Sequence, residues 1–420
     1  MGSRPPRDFA ASGGFDMPMM RIVLLACALV CALAAPTARA AGPAQTAKVL
    51  RTEMKKAGAY SGAHVVDLGT GQPLYSEDAS VPRIPASVEK LYTTAAALER
   101  FGPQGALSTE VLGATAVDPA GVLAGDLYLR GGGDPSFDAK ATGLLADLVI
   151  ERTGLTEVSG RVIGDESAFD GLRGPPSEGY RTSSYVGPLS ALTFNRGFTG
   201  RRRPLFQASP PAFAAKAFTA ALKRRGVTVR RAARAGVTPS TAVSLAGLNS
   251  PGIENLVASM NVPSDNFIAE TLIKALGARF GGAGTTSAGA AVVRSNAARL
   301  GIRTTVVDGS GLSRSNRTSP KAVVALLTAM DEGVLAQPFE ASLPVAGRTG
   351  TLHDRMRGTS ARDACRAKTG TLSNVSALAG YCDTRGGERV AFAFLMNYVY
   401  PWTARRIQDR MTAALARYDG

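Results

Sequence analysis

The stretch PASVEKLYTT, residues 85–94, sets Ser87 three residues before Lys90, after a proline and at the start of a helical run. Two readings compete. Ser87 can be the polar start of a helix, or a nucleophile whose base lies one turn away. The pattern alone does not separate them. With 30 Ser and 10 Lys in 420 residues, about one Ser-x-x-Lys is expected by chance. From Ser87 to Phe101 the periodicity predicts a helix, with Val88, Leu91, Ala95 and Leu98 on one face and Gly102-Pro103 as its stop. The chain has two histidines. His64 sits in a strand-like alternation and His353 in a polar loop without an obvious serine partner. A Ser-His-Asp triad and a His- or Cys-based metal site are both starved of residues. Serine chemistry here would use lysine as its base, and no metal or cofactor is expected.

Two later segments bear on the choice. NVPSDNFIAE carries Ser264-Asp265-Asn266, and RAKTGTLSNV carries Lys368-Thr369-Gly370. Ser259-Met260-Asn261 is a second Ser-x-Asn, and Arg152-Thr153-Gly154 and Arg348-Thr349-Gly350 copy the third motif without its lysine. Lys-Thr-Gly is the rarest, expected roughly 0.1 times in this composition. The order Ser-x-x-Lys, Ser-Asp-Asn, Lys-Thr-Gly carries the signal. Each piece has a physical use. The Ser87 N–H at a helix start suits an oxyanion. Lys90 is on the same helix face and can reach the Ser87 oxygen. Burial and a second lysine, Lys368, would make it neutral enough to act as a base. Ser264 can relay a proton and Asn266 can donate to a substrate amide. Lys368 with the Thr369 and Thr371 hydroxyls suits a free carboxylate. Gly370 leaves room for a substrate backbone beside the strand.

Residues 22–35, IVLLACALVCALAA, follow Arg21 and precede Ala38-Arg39-Ala40. This reads as a secretory signal, residues 1–40, cut after Ala40, with translation starting at Met1 or later at Met17, Met19 or Met20. Fourteen apolar residues are short for a membrane span. The run before Cys27 is also short for lipid attachment. Formal charge is +15. Residues 1–40 hold four Arg and two acids, so cleavage leaves +13. Export argues against a nucleic-acid partner, leaving a solvated basic surface or attraction to an anionic envelope. Cleavage also leaves Cys365 and Cys382, which in an exported protein suggest one disulfide or, alternatively, two buried thiols.

Residues 44–58 look helical, and SGAHVVDLGTGQPLYSEDAS predicts two strands around Gly69-Thr70-Gly71. Residues 104–248 hold short strand-like pieces separated by Gly and Pro, with an exposed Arg201–Arg203 loop. Helices follow over 251–301, two or three strands over 365–400, and a last helix from about Thr403 to Tyr418. The pattern predicts one α/β domain, 41–103 with 249–420, interrupted by a β-rich insertion, 104–248.

With the three motifs and the strings GDLYLRGGGDP (125–135), SYVGPLSALTFNRG (184–197) and DGSGLSRSNRTSP (308–320), the chain resembles the low-molecular-mass class C penicillin-binding proteins. These are serine D-alanyl-D-alanine carboxypeptidases and endopeptidases. The resemblance spans roughly residues 45–415. It implies a β-lactamase/transpeptidase-like fold, an antiparallel sheet flanked by helices, with inserted β-rich domains between the first two motifs. It implies Ser87 as acylated nucleophile, Lys90 as base, and an oxyanion hole from the Ser87 and Thr371 N–H groups. It implies peptidoglycan stem peptides as substrates, β-lactams as covalent inhibitors, and a periplasmic or envelope location. For the pocket that takes the stem peptide's amino-acid side chain, it implies Asp165 for a diaminopimelyl amine and Arg314 for its carboxylate, against a turn-capping Asp165 and a surface Arg314. Asp134, in GGGDP, reads as a turn residue. The comparison also supports the Cys365–Cys382 bridge, provided 365–372 and 375–382 form a hairpin turning at Ser373-Asn374.

Two other functions fit parts of the pattern. A β-lactamase would need a deacylating glutamate between the first two motifs, where Glu166 and Glu178 lie without the expected neighbours. A penicillin sensor or peptidoglycan-binding module would acylate without cleaving.

Overall fold

The segment RVAFAFLMN is apolar almost throughout because both of its faces are covered. In the computed structural model, which describes residues 41–200 and 205–420, Arg389–Asn397 is the middle strand of a five-stranded antiparallel sheet. Successive side chains point to opposite faces. Ala391, Ala393 and Leu395 pack with the helices Lys90–Phe101, Asn266–Phe280 and Pro320–Met330. Val390, Phe392, Phe394 and Met396 pack with the helices Pro43–Met54 and Pro401–Leu415. The sheet runs Cys365–Leu372, Val375–Asp383, Arg389–Asn397, Ser61–Asp67, Pro73–Glu77. Cys365–Leu372 is therefore an edge strand. Cys365 lies opposite Cys382 in the register and is bonded to it.

Between these parts of the chain lie two further sheets. One has five strands, ordered Val243–Asn249, Ser108–Gly113, Leu127–Gly131, Val162–Asp165, Arg234–Ala235. The other is three short parallel pairs of residues, Val122–Leu123, Glu157–Val158 and Thr228–Val229. This region is less purely β than its sequence suggests. It also contains the helices Ala139–Thr153 and Pro210–Lys223, whose Leu145, Val149, Phe218 and Leu222 share a core with Leu129 and Val162. Thr142-Gly143 and Val149-Ile150 dilute the first helix's propensity. Asp138 starts it as an N-cap, accepting from the Lys140 and Ala141 N–H groups. The near-copy Arg152-Thr153-Gly154 is simply the end of this helix, with Gly154 left-handed at φ 67°.

The signal segment 1–40, with its candidate starts, and the Arg201–Arg203 cluster lie outside the described residues. Among the described residues, no single helix is long and apolar enough to cross a membrane.

Candidate active site

Ser87 does not cap a helix. It lies in a single 3-10 turn, Ala86–Glu89, that runs into the helix beginning at Lys90, and neither start has a side-chain cap. Ala86 enters the turn at φ 48°, an uncommon conformation for a residue with a Cβ. The Ser87 Oγ instead lies 3.0 Å from Lys90 Nζ. The same Nζ is 2.7 Å from Asn266 Oδ1 and 2.6 Å from the Ser310 carbonyl oxygen. Asn266 is the first residue of its helix, held there by Asp265, whose carboxylate accepts from the Ile268 N–H. Asp265 is itself paired with Arg196 at 2.6 Å.

The third motif enters from the edge strand. Lys368 Nζ donates to Ser264 Oγ at 2.8 Å and to the Thr369 carbonyl at 2.9 Å. Ser264 sits at φ 64°, which turns its hydroxyl back toward that strand. The Ala367 N–H donates outward, to Pro344 O, away from the sheet. By the two-residue period of a strand, the Thr369 and Thr371 N–H groups face the same open edge. Gly370 has a different use from the one read in the sequence. Its bare face meets the protein's own backbone, because a Cβ there would lie 2.5 Å from Pro85 O and 3.1 Å from Ser87 N. The glycine lets the edge strand lie directly against the Ser87 turn.

The charges are concentrated and buried. Lys90, Lys368, Glu89, Glu270 and Asp308 have 0% of their surface exposed. Burial, against the pull of Glu270, Asp308, Asp265 and Glu89, brings Lys90 down to about 8. Burial and the Lys90 charge hold Lys368 well below the usual lysine range. Burial, with the neighbouring Asp308, pushes Glu270 up to about 8. Glu89 is raised by burial first and then by Asp308, and among the described residues neither of its carboxyl oxygens has a hydrogen-bond partner. Glu270 accepts from the Ser310 N–H at 2.8 Å. Asp308 accepts from the Gly311 N–H at 2.9 Å and from Asn316 Nδ2 at 2.8 Å. These acids therefore shape the DGSGLS loop that offers its Ser310 carbonyl to Lys90.

Ser87, Ser264, Asn266, Thr369, Thr371 and Arg314 all line one cleft of about 1520 Å³. Arg314 donates to Ser373 Oγ at 2.6 Å and to Asn374 Oδ1 at 2.8 Å, at the hairpin turn. Asp165 is not with them and does not line this cleft. It is buried at the end of an insertion strand, where its carboxylate accepts from the Ser167 and Thr238 N–H groups, each at 2.8 Å. Those are the contacts of a turn-capping Asp165. Asp134 likewise accepts from the Ser136 N–H, at 2.8 Å, as a turn residue. Glu166 is tied to Arg173, whereas Glu178 lines the cleft. Neither histidine lines it.

Several contributors escaped the sequence reading. Thr351 accepts from Thr369 Oγ1 at 2.8 Å, and it directly follows Arg348-Thr349-Gly350, the near-copy that lacks lysine. Arg405 Nη2 donates to Thr371 Oγ1 at 3.1 Å. Tyr185, whose carbonyl accepts from Asn266 Nδ2 at 3.2 Å, and Trp402 complete the rim. The second Ser-x-Asn is a buried structural copy: Asn261 Nδ2 donates to Thr94 and Ser342.

This sheet, its flanking helices and the three motifs define a penicillin-binding serine peptidase of β-lactamase/transpeptidase-like fold. The model of the D-Ala-D-Ala carboxypeptidase 3 (S13) family matches residues 44–203 and 205–418, and the chain belongs to that family. It is a low-molecular-mass class C penicillin-binding protein. It is 33% identical to a D-alanyl-D-alanine carboxypeptidase of Actinomadura sp. (strain R39), over 86% of this chain and 82% of the relative. Its structure resembles penicillin binding protein 4 (dacB) of Haemophilus influenzae, with a TM-score of 0.76 at 21% identity over 88% of this chain and 99% of that one. It also resembles Bd3459, a predatory peptidoglycan endopeptidase of Bdellovibrio bacteriovorus, with a TM-score of 0.56 at 19% identity over 83% and 90% of the two chains.

Proposed function

We propose that this carboxypeptidase is an exported D,D-peptidase of the periplasm or cell envelope. It would cleave D-Ala-D-Ala on peptidoglycan stem peptides, and D-Ala–diaminopimelate cross-links, through an acyl-enzyme on Ser87. In this reading residues 41–103 and 249–420 form the peptidase domain and 104–248 the insertion. The observation that carries the mechanism is the set of three partners around Lys90 Nζ. A neutral amine has two N–H donors and one lone pair. With Asn266 Oδ1 and Ser310 O taking the donors, the lone pair is left for the Ser87 hydroxyl proton. As Ser87 Oγ attacks the peptide carbonyl, its proton passes to Lys90. The developing oxyanion receives the Ser87 and Thr371 N–H groups. Lys90 would then give up that proton to the leaving amine, with Ser264, held by Lys368, as the relay. Thr369 and Thr371 hold the terminal carboxylate, and Arg314 a carboxylate on the stem-peptide side chain. Water then takes the acyl group. β-Lactams would acylate the same oxygen and leave slowly.

The test is mass spectrometry of the mature protein after incubation with benzylpenicillin, followed by site mapping. A stable adduct on Ser87, absent in Ser87→Ala, is expected. A folded protein without an adduct overturns the reading. An adduct lost within seconds would make the protein a β-lactamase instead.

A further inference from the structure

The chain's single tryptophan is not in its core. Trp402 is 64% exposed, Tyr398 69% and Tyr400 73%. The three alternate along the segment NYVYPW, residues 397–402, while Val399 between the tyrosines packs on the core. The segment is held in place rather than loose. Its Asn397 N–H donates to Tyr60 O and its Val399 N–H to Asn374 O, each at 3.1 Å. Tyr60, itself 60% exposed, meets Tyr398 edge to face with centroids 4.9 Å apart. Tyr398 stands at φ 53°, a left-handed conformation that a bulky side chain rarely adopts. The result is three exposed rings on a hydrogen-bonded segment.

Of the three rings, Trp402 lines the active-site cleft, with Pro401, Arg405, Arg406 and Ser87, and the two tyrosines precede it in the same segment. We infer that Tyr398, Tyr400 and Trp402 form a carbohydrate platform that holds the glycan strand carrying the stem peptide. The inference rests on the peptidase reading above, since the peptide in the cleft is then covalently attached to a glycan. Three features favour sugar over another occupant. Each ring pairs an apolar face with a polar tip, which matches a pyranose with its C–H face and hydroxyl rim. No exposed aliphatic side chain belongs to residues 397–406, whereas a protein-binding face would bring some. The neighbouring Arg405 and Arg406 complement the lactyl carboxylates of muramyl residues that carry no peptide.

Because Trp402 is the only tryptophan, its fluorescence reads this surface directly. The mature protein carrying Ser87→Ala, which removes turnover, is titrated with peptide-free β-1,4-linked N-acetylglucosamine–N-acetylmuramic acid strands. A saturable change in emission is expected. In the Tyr398→Ala/Tyr400→Ala double variant, which keeps the reporter, apparent affinity should fall roughly tenfold or more. In enzyme with Ser87 intact, the same double variant should lower D-Ala release from intact sacculi relative to release from a soluble tripeptide. No emission change, or one that the double variant does not weaken, overturns the platform. So does a change with anionic lipid vesicles or with protein concentration but not with glycan. Failure of Ser87 to acylate with glycan binding intact would overturn the peptidase reading and leave the platform standing.

Discussion

Gly370 and Ser87 meet through their backbones: a Cβ at residue 370 would stand 3.1 Å from the Ser87 nitrogen and 2.5 Å from the Pro85 carbonyl oxygen. The edge strand and the Ser87 turn are thereby set at a fixed separation, and the proposed oxyanion site depends on it. Gly370→Ala should push the strand off the turn. Misplacement on the order of 1 Å costs about 10²-fold in rate. The second-order rate of Ser87 acylation by benzylpenicillin should fall by that order while the fold persists by circular dichroism. A rate within about threefold of wild type would show that the separation does not matter.

Lys90 is held down to about 8 by burial, so roughly one lysine in ten is neutral at pH 7. The acylation rate should rise about tenfold per pH unit below 8 and level off above it. A rate–pH profile from 6 to 9.5 measures this, and a flat profile removes Lys90 as the base. The same depression has a sign for stability. Between about pH 8 and 10.5 the unfolded chain binds the lysine proton and the folded one does not. This group therefore makes folding more favourable as pH rises through that window.

Glu89 gives the opposite slope. Its carboxyl is raised well above 4.5 by burial and has no hydrogen-bond partner among the described residues. The folded state then holds a proton that the unfolded chain releases, so its contribution falls as pH rises from about 4.5. Glu89→Gln should stabilise the protein more at pH 9 than at pH 5. Urea midpoints at the two pH values test it, and an equal shift at both would show that Glu89 is ionised in the fold.

Asp165 and Arg314 should separate cleanly. Asp165→Ala frees the Ser167 and Thr238 N–H groups from partly buried bonds to a carboxylate and should cost about 1–3 kcal/mol of stability. It should leave the preference for diaminopimelyl over neutral side chains unchanged. Arg314→Ala should raise KM for peptides with a side-chain carboxylate and leave stability nearly unaltered. A preference lost in Asp165→Ala at full stability would assign that residue to the substrate pocket.

The Cys365–Cys382 bond closes a separation of 17 residues, for which loss of chain entropy predicts about 3 kcal/mol. Cys365→Ser/Cys382→Ser should lower Tm by several degrees. It should also slow acylation, because the bridge ties down the strand that carries Lys368. An unchanged Tm would assign the pair no role in stability.

How much of this was legible in the residues follows from the range over which each pattern acts. The period of Val88, Leu91, Ala95 and Leu98, the apolar run in RVAFAFLMN and the Gly69-Thr70-Gly71 turn are local, and the elements they predict are present. The ordered motifs and the cysteine pair are long-range, but they are written in rare residues, and the structure brings them together. Other partners carry no local mark. Lys90 reaches Asn266 and Ser310, 176 and 220 residues away. Arg405 reaches Thr371 across 34 residues. Nothing in Thr351 or Glu270 as letters distinguishes them from other residues of their kind. Arg152-Thr153-Gly154 and Arg348-Thr349-Gly350 read alike, yet one ends a helix and the other adjoins the cleft. Asp165 sits in a promising string and turns its carboxylate into its own backbone. The sequence by itself determined which chemistry the chain can attempt, because that depends on residue type and order. Only the tertiary structure decided which lysine is dry and which acid faces water, because burial and approach are set by how the sheet, its helices and the insertion pack.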